Sequence, residues 1–301
     1  MKLHLLATFL QVAEAGSLSR AALAAEMATS RVSQQIAELE TAWGGRLFDR
    51  TGRGMVLTAL GARMLPQVQR LVDELHRLDV AARDAAGVPT GLVHVGMLPS
   101  MSRRLLPPLL ARLREQAPQV RLHVSEGFSG ALDEQLSSGR LDMIVVNRYG
   151  ESAKPGEDVL GHMDTCLIGK PGAALLARPT VSFAQLAGQP MVLPARPNGF
   201  RSMLDALLRR HGVTPAIALE VDTVNMMKDV ALSGQAMTLL PAMAVSEELA
   251  AGALAVSRIV RPGIRRTIAL GVGRQRPPSL AVRYVAAQVG QLARQLLREA
   301  G

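Results

Sequence analysis

The chain has 301 residues, 48% hydrophobic but only 3% aromatic, so it is long enough for two domains and builds aliphatic cores. Its formal net charge is +9, yet the charge is uneven: residues 1–86 hold ten Lys or Arg against nine Asp or Glu, and residues 87–301 hold twenty-four against sixteen. One cysteine, Cys166, excludes an intramolecular disulfide framework, and no apolar run approaches the ~20 residues of a membrane span. The N-terminus reads as an amphipathic helix and not as a signal peptide, so a cytoplasmic chain without membrane contact is expected.

Leu3, Leu6, Leu10 and Ala13 predict a first helix that Gly16 ends. Ser17 or Ser19 caps a short second helix, with Ala21, Ala22 and Leu23 as its packing face. A third helix is predicted from Thr29, its cap, to Thr41. Val32, Ile36, Leu39 and Trp43 recur at steps of four, three and four and form one buried face. The opposite face carries Ser30, Arg31, Gln34 and Thr41, with Ser33 at its flank. Short polar side chains and an arginine suit a helix that lies in a DNA major groove, although an ordinary surface helix has the same pattern.

The flanking segments decide between these readings. Arg46–Arg50 and Met55–Leu57 predict two short strands, and Thr51-Gly52-Arg53-Gly54 forms the tip between them. The whole is a winged helix-turn-helix. Thr58 then caps a long helix to about Ala86. Along it Met64, Val68, Leu71, Leu75, Leu78, Ala82 and Ala85 keep a 3.5-residue repeat, the seam of a coiled coil, so this linker helix is expected to pair two chains. Pro66 inside it should kink the helix or fix its first turns.

Gly87-Val88-Pro89-Thr90-Gly91 is a breaker cluster and marks a domain boundary. Beyond it, strands at Leu92–Gly96, Arg121–Ser125, Asp142–Val146, Leu167–Ile168, Met191–Leu193, Ala218–Val221, Met237–Leu240 and Ile268–Val272 alternate with helices. The helices are Ser102–Gln116, Ala131–Ser138, Arg201–His211, Asn225–Ser233, Ala242–Ala250 and Ser279–Arg298. Residues 150–162 read as a crossover. This is an α/β pattern with a largely parallel sheet, and two linked lobes would hold a small ligand between them. The division expected is 1–58, 59–87 and 91–301, with lobe one at 91–161 plus 267–301 and lobe two at 162–266.

The stretches FLQVAEAGSLSRAA, VSQQIAELE and RLFDRTGRGMVLTALG make the chain resemble a LysR-type transcriptional regulator. Looser matches at LLPPLLARLREQAPQVRLHVSEGFSG, SSGRLDMIVV, LPARPNGFR and SGQAMTLLP extend the resemblance over essentially the full length. It implies an N-terminal winged helix-turn-helix, a dimerising linker helix and a two-lobed periplasmic-binding-protein-like effector domain. It also implies a homotetramer on promoter DNA, a small-molecule co-inducer, and RNA polymerase as a further partner. LPARPNGFR and EGFSG resemble most the branch containing nitrogen-assimilation regulators. The family's common Ser-Gln is Ala28-Thr29 here, its Leu before the joint is Ala25, and its frequent Ala is Arg31. An Arg there can grip a guanine through O6 and N7.

The expected DNA-contacting set is Ser30, Arg31, Ser33 and Gln34 in the groove, with Arg50 and Arg53 on backbone or minor groove. Gln35 turns toward the buried flank, and Glu38 would repel phosphate. The expected effector set is Ser100 and Ser102 after the first strand, Asn198 and Arg201 at a helix start, and Ser129 and Thr223 at loops after strands. Helix starts favour an anion such as a carboxylate, and helix capping alone is the alternative role for these residues. Arg258, Arg261, Arg265, Arg266, Arg274 and Arg276 form a second basic run, taken as a solvated face. Cys166 is expected to be a buried structural thiol. The six histidines show no metal-ligand spacing, and no phosphate-binding loop or nucleophile motif stands out, so neither a cofactor nor an enzyme is expected. The rival readings are a solute-binding protein and an α/β enzyme.

Overall fold

The structure is a computed structural model describing residues 3–51, 54–85, 87–150, 153–275 and 277–299. It divides into two compact units, Met1–Ala86 and Gly87–Gly301.

In the first unit α1 (Leu3–Ala15), α2 (Leu18–Ala24) and α3 (Thr29–Trp43) surround one apolar core. The buried stripe of α1 is Leu5, Leu6, Phe9 and Val12, and Leu3 is 51% exposed, so the predicted Leu3–Leu6–Leu10 stripe is rotated from the true one. Phe9 sits at the centre, edge-on to Trp43 at 6.2 Å and tilted against Phe48 at 5.4 Å. Burying a side chain of this size stabilises the fold by about 1.5–3 kcal/mol. From α3 come Val32, Ile36 and Leu39, as predicted, and Gln35, whose carbonyl accepts from Thr8 Oγ1 at 2.6 Å. Ser17 caps α2 by accepting from the Arg20 N–H. Thr29 does not cap α3: it is the first helical residue, and Ala28 occupies the cap with no side chain to offer. Gly44, at φ 69°, ends the helix.

The antiparallel pair β1 (Phe48–Thr51) and β2 (Gly54–Leu57) forms the wing. Its base is held by Glu40, whose Oε1 accepts from Leu47 N at 2.7 Å, and by Met55 N donating to Gly16 O at 2.9 Å. The second contact requires glycine at position 54. Its φ is 118°, and a Cβ there would lie 2.4 Å from Gly16 O. Thr58 caps α4 (Ala59–Ala85) by accepting from Gly61 N at 3.1 Å, and the helix runs through Pro66 without ending.

The second unit holds two sheets. In lobe one β3 (Gly91–Met97), β4 (Val120–Glu126) and β5 (Met143–Arg148) run parallel, with α5 (Pro99–Gln116) and α6 (Ser129–Ser137) between them. An antiparallel strand β6 (Asp158–Asp164), in place of part of the predicted crossover, leads into lobe two. There β7 (Cys166–Gly169), β8 (Thr180–Ser182), β9 (Pro190–Pro194), α7 (Gly199–His211), β10 (Ala216–Val221), α8 (Val224–Ser233), β11 (Thr238–Leu240), α9 (Ser246–Ala250) and β12 (Ala255–Val260) follow. The chain then returns to lobe one as β13 (Arg265–Val272) and α10 (Leu280–Glu299).

The sheet orders are β4-β3-β5-β13-β6 and β11-β7-β12-β8, with β9 and β10 paired separately. Both larger sheets are mixed rather than largely parallel, because the chain crosses between lobes twice and β13 comes back against β5. All six residues of β5 are buried, since α5 and α10 cover one face of its sheet and α6 the other.

Candidate effector cleft and DNA-reading helix

In the N-terminal unit α3 presents Ser30, Arg31 and Gln34 as exposed residues, with Ser33 half-buried beside them. These four share the face opposite the core. Thr41 bonds back to Ala37 O at 2.8 Å, which spends its hydroxyl on the helix itself. Arg50 stands in β1 opposite Met55, and Arg53 lies outside the described residues.

In the effector unit a small cleft opens between the lobes, with a free volume of about 40 Å³ inside and its mouth open to solvent. Its walls are built from helix starts: Pro99 and Ser100 of α5, Ser129 of α6, Asn198 and Gly199 of α7, and Val224 of α8. Four helix N-termini therefore aim their partial positive charge at one small space, which favours an anion. Apolar wall comes from Phe128, Phe200, Met227 and Leu240.

Of the six residues expected at the effector site, the cleft brings together Ser100, Ser129 and Asn198. Ser129 Oγ accepts from Asn147 N at 3.0 Å, and Asn198 caps α7 by accepting from Arg201 N at 3.1 Å. The other three are not among the lining residues. Thr223 caps α8, accepting from Met226 N at 3.2 Å. Ser102 is buried inside α5, bonded to Glu126. The predicted helix began at Ser102, but α5 begins at Pro99, whose fixed φ suits the first helical position, and this carries Ser102 one turn inward.

Arg201 is only 1% exposed and points away from the cleft. Its guanidinium donates to Asp205 Oδ1 at 2.9 Å, to Pro194 O at 3.1 Å and to Glu220. Burial pushes the Asp205 carboxyl up, but the hydrogen bonds from Arg201 and Arg196 outweigh it and hold the group below the usual carboxylate range. This is a structural ion pair that ties α7 to β10.

Sequence reasoning placed the cleft's cation elsewhere. Arg266, assigned to a solvated basic run, is 4% exposed and lines the cleft. Its Nε donates to Thr165 Oγ1 at 2.8 Å, and its Cζ lies 4.4 Å from the Phe200 ring centroid. Among the described residues no carboxylate pairs with it. Asn147 of β5 and Tyr149 just beyond its end complete the polar floor; burial pushes the Tyr149 phenol above its ordinary value. Of the same basic run, Arg258 is exposed and pairs with Asp164 at 3.4 Å, beside a wider groove of about 720 Å³ that Cys166 and Arg265 also line. Cys166 is 7% exposed, and burial pushes its thiol up, away from the reactive thiolate.

Among the described residues no group of three or more His, Cys, Asp or Glu could hold a metal ion, and no helix is long and apolar enough to cross a membrane.

Residues 86–294 match the family described as LysR substrate binding domain, and residues 3–62 match the bacterial regulatory helix-turn-helix protein, lysR family. The regulator BbuR of Bordetella bronchiseptica is 28% identical over 97% of this chain and 91% of its own length. OxyR of Escherichia coli is 26% identical over 86% of this chain and 85% of its own length. The nitrogen assimilation regulatory protein nac of Klebsiella aerogenes is 25% identical over 95% and 94%. Identity to that last protein is no higher than to the others, so the similarity singles out the family and no branch within it.

Among solved structures, PA0477 of Pseudomonas aeruginosa has the same fold, with a TM-score of 0.80 at 20% identity over 97% of this chain and 98% of that one. CbnR in complex with its target DNA aligns with a TM-score of 0.66 at 23% identity, over 98% and 99%. The chain belongs to the LysR family of DNA-binding transcriptional regulators, with an N-terminal helix-turn-helix and a two-lobed effector-binding domain.

Proposed function

We propose that the chain acts in the cytoplasm as a dimer, reading promoter DNA with α3 and responding to a small anionic co-inducer held between its lobes. The observation that carries the effector reading is the convergence of four helix N-termini and Arg266 on one small cleft. Ser30, Arg31, Ser33 and Gln34 read base edges, and Arg50 and Arg53 of the wing hold phosphate or minor groove. Arg31 is the specificity residue: a bidentate grip on guanine discriminates by about 1–3 kcal/mol, or roughly 5- to 150-fold.

Dimerisation runs through the second half of α4, where Leu71 and Leu78 are 41% and 62% exposed at heptad positions. A tetramer is supported by β10, an edge strand that leaves Ile217 and Leu219 more than 40% exposed, with Met226 of α8 nearby in sequence at 52%. RNA polymerase is the remaining partner of such an assembly.

The test is a gel-shift series on DNA upstream of the protein's own gene, comparing wild type with Arg31→Ala across operator variants. A loss confined to variants that keep one guanine supports the reading. An equal loss on every sequence assigns Arg31 to phosphate instead, and no sequence-selective shift from the wild type refutes the proposal.

A further inference from the structure

Helix starts explain why the cleft prefers negative charge, but not how it would tell one anion from another. Two polar groups on its floor each keep one unpaired atom. Asn147 is 7% exposed, and its Oδ1 accepts no hydrogen bond. Its backbone N–H donates to Ser129 Oγ at 3.0 Å, and its side chain lines the cleft. A buried acceptor left unpaired is an energetic deficit that a bound donor removes.

Arg266 is the second group. Nε is committed to Thr165, and Nη2 donates to Leu239 O at 3.3 Å, while Nη1 has no hydrogen bond among the described residues. Among the described residues the buried charge has no carboxylate to balance it, which is uncommon for a buried cation.

The two groups face the same space. Asn147 pairs with Ile268 across β5 and β13, and Arg266 lies two residues before Ile268, so side chains of Asn147, Tyr149 and Arg266 leave the same face of the sheet. Diagonal neighbours of this kind are about 7–8 Å apart at the backbone, close enough for one ligand of a few atoms to reach both.

We propose that the effector is a small amino or hydroxy acid: its carboxylate is read by Nη1 of Arg266, its ammonium or hydroxyl donates to Oδ1 of Asn147, and its apolar remainder lies against Phe128 and Met227. The inference rests on the cleft being the effector site. It goes further by requiring a donor as well as a negative charge, which a simple carboxylate lacks.

The test is calorimetric titration of the full chain with matched compounds. One set is valine, 2-hydroxyisovalerate, isovalerate and valinamide, and the same four chemistries are taken for the alanine and phenylalanine side chains. A site built around a buried hydrogen-bonding group discriminates strongly against analogues that leave it unpaired. The amino or hydroxy acid of at least one set is therefore expected to bind about tenfold or more tightly than both the plain carboxylate and the amide of that set. Asn147→Leu should erase the advantage over the plain carboxylate. Arg266→Gln should erase the advantage over the amide, with thermal unfolding as the check that each variant folds.

Gly199→Trp supplies the control for location. Gly199 lines the cleft, and nothing lies within 4 Å of where its Cβ would be, so a side chain can start there without a clash and the bulk of an indole at the wall obstructs the cleft. Binding lost in this variant belongs to the cleft. A plain carboxylate or an amide that binds there as well as its amino or hydroxy acid overturns the inference and leaves the cleft as the effector site. Binding that survives Gly199→Trp overturns both. Failure of every compound to bind overturns the inference, and the cleft reading falls with it only when a wider set of neutral compounds also fails.

Discussion

Replacing Arg201 with methionine separates a structural cation from a ligand-binding one. The guanidinium is 1% exposed and makes three polar contacts, to Asp205, Glu220 and Pro194 O. Methionine keeps the apolar stem and removes the charge. Breaking a buried pair by deleting one partner is destabilising by about 3–5 kcal/mol. Two features move this case to the low end: Asp205 keeps Arg196, whose Nη2 donates to Oδ2 at 2.6 Å, and the Glu220 side chain is already 44% exposed and can rehydrate. The expected loss is about 3 kcal/mol. For a unit the size of residues 87–301, each kcal/mol moves the melting temperature by about 2–4 °C, so the effector-domain transition should fall by about 6–12 °C. Differential scanning calorimetry of the full chain reads this directly. Effector affinity, measured well below the transition, should be unchanged because Arg201 does not line the cleft. A shift under about 2 °C, or lost binding with unaltered stability, would refute the structural assignment.

Three further outcomes follow from the geometry. Gly54→Ala puts a Cβ 2.4 Å from Gly16 O at a φ of 118°, so the wing must detach from the end of α1; strain of this kind is worth about 1–3 kcal/mol, and DNA affinity should fall while effector binding stays intact. Leu71→Lys with Leu78→Lys removes apolar seam and adds like charge on both chains, which should raise the dimer dissociation constant by about two orders of magnitude or more in sedimentation equilibrium. An unchanged constant would place the dimer contact elsewhere. Asp133, Glu157, Asp205 and Glu248 each feel burial raising the carboxyl, but hydrogen bonds from Arg148, Arg201 or Lys228 outweigh it and lower the folded value. Their stabilisation is present above the ordinary values of 3.8 and 4.5 and is lost as pH falls through the lowered folded ones. The urea midpoint of the effector domain should therefore be level near neutrality and drop below about pH 4; a midpoint that holds or rises under acid contradicts this.

How far residues announce their place differs from element to element. In α3 the apolar positions are few and strictly spaced among polar ones, so the buried face, including the inward turn of Gln35, was legible. In α1 apolar residues occupy nearly every face, from Leu3, Leu5 and Leu6 to Phe9, Leu10 and Val12. Periodicity alone could not choose between stripes, and the choice was made by Trp43 and Phe48, which meet Phe9 from elsewhere in the chain. Arg266 was indistinguishable from its neighbours in a run of arginines because its burial comes from Thr165 and Phe200, neither near it in sequence. Asn147 was hidden by a strand read as ending at Val146. Arg201 did carry a signal: Asp205 stands four residues later on the same helix face, a spacing that suggests a paired arginine before a ligand-binding one. The strand β12 was also readable in retrospect, since Val256, Arg258 and Val260 alternate with Ala255, Ser257 and Ile259.

The linker helix has a mechanical consequence. Val68 of α4 belongs to the core built on Phe9, whereas Leu71 and Leu78, further along the same unbroken helix, are bare. At 27 residues α4 is a rod of about 40 Å, so in the proposed dimer the azimuth of α3 about the pairing axis is set by the rod's own phase rather than by a flexible joint. One residue inserted after Val68 would turn the seam by about 100° relative to the reading head and misalign two half-sites, while seven would come within about 20° of restoring it. In the proposed dimer, the separation of the half-sites on the operator is thus written into the pitch of a single helix.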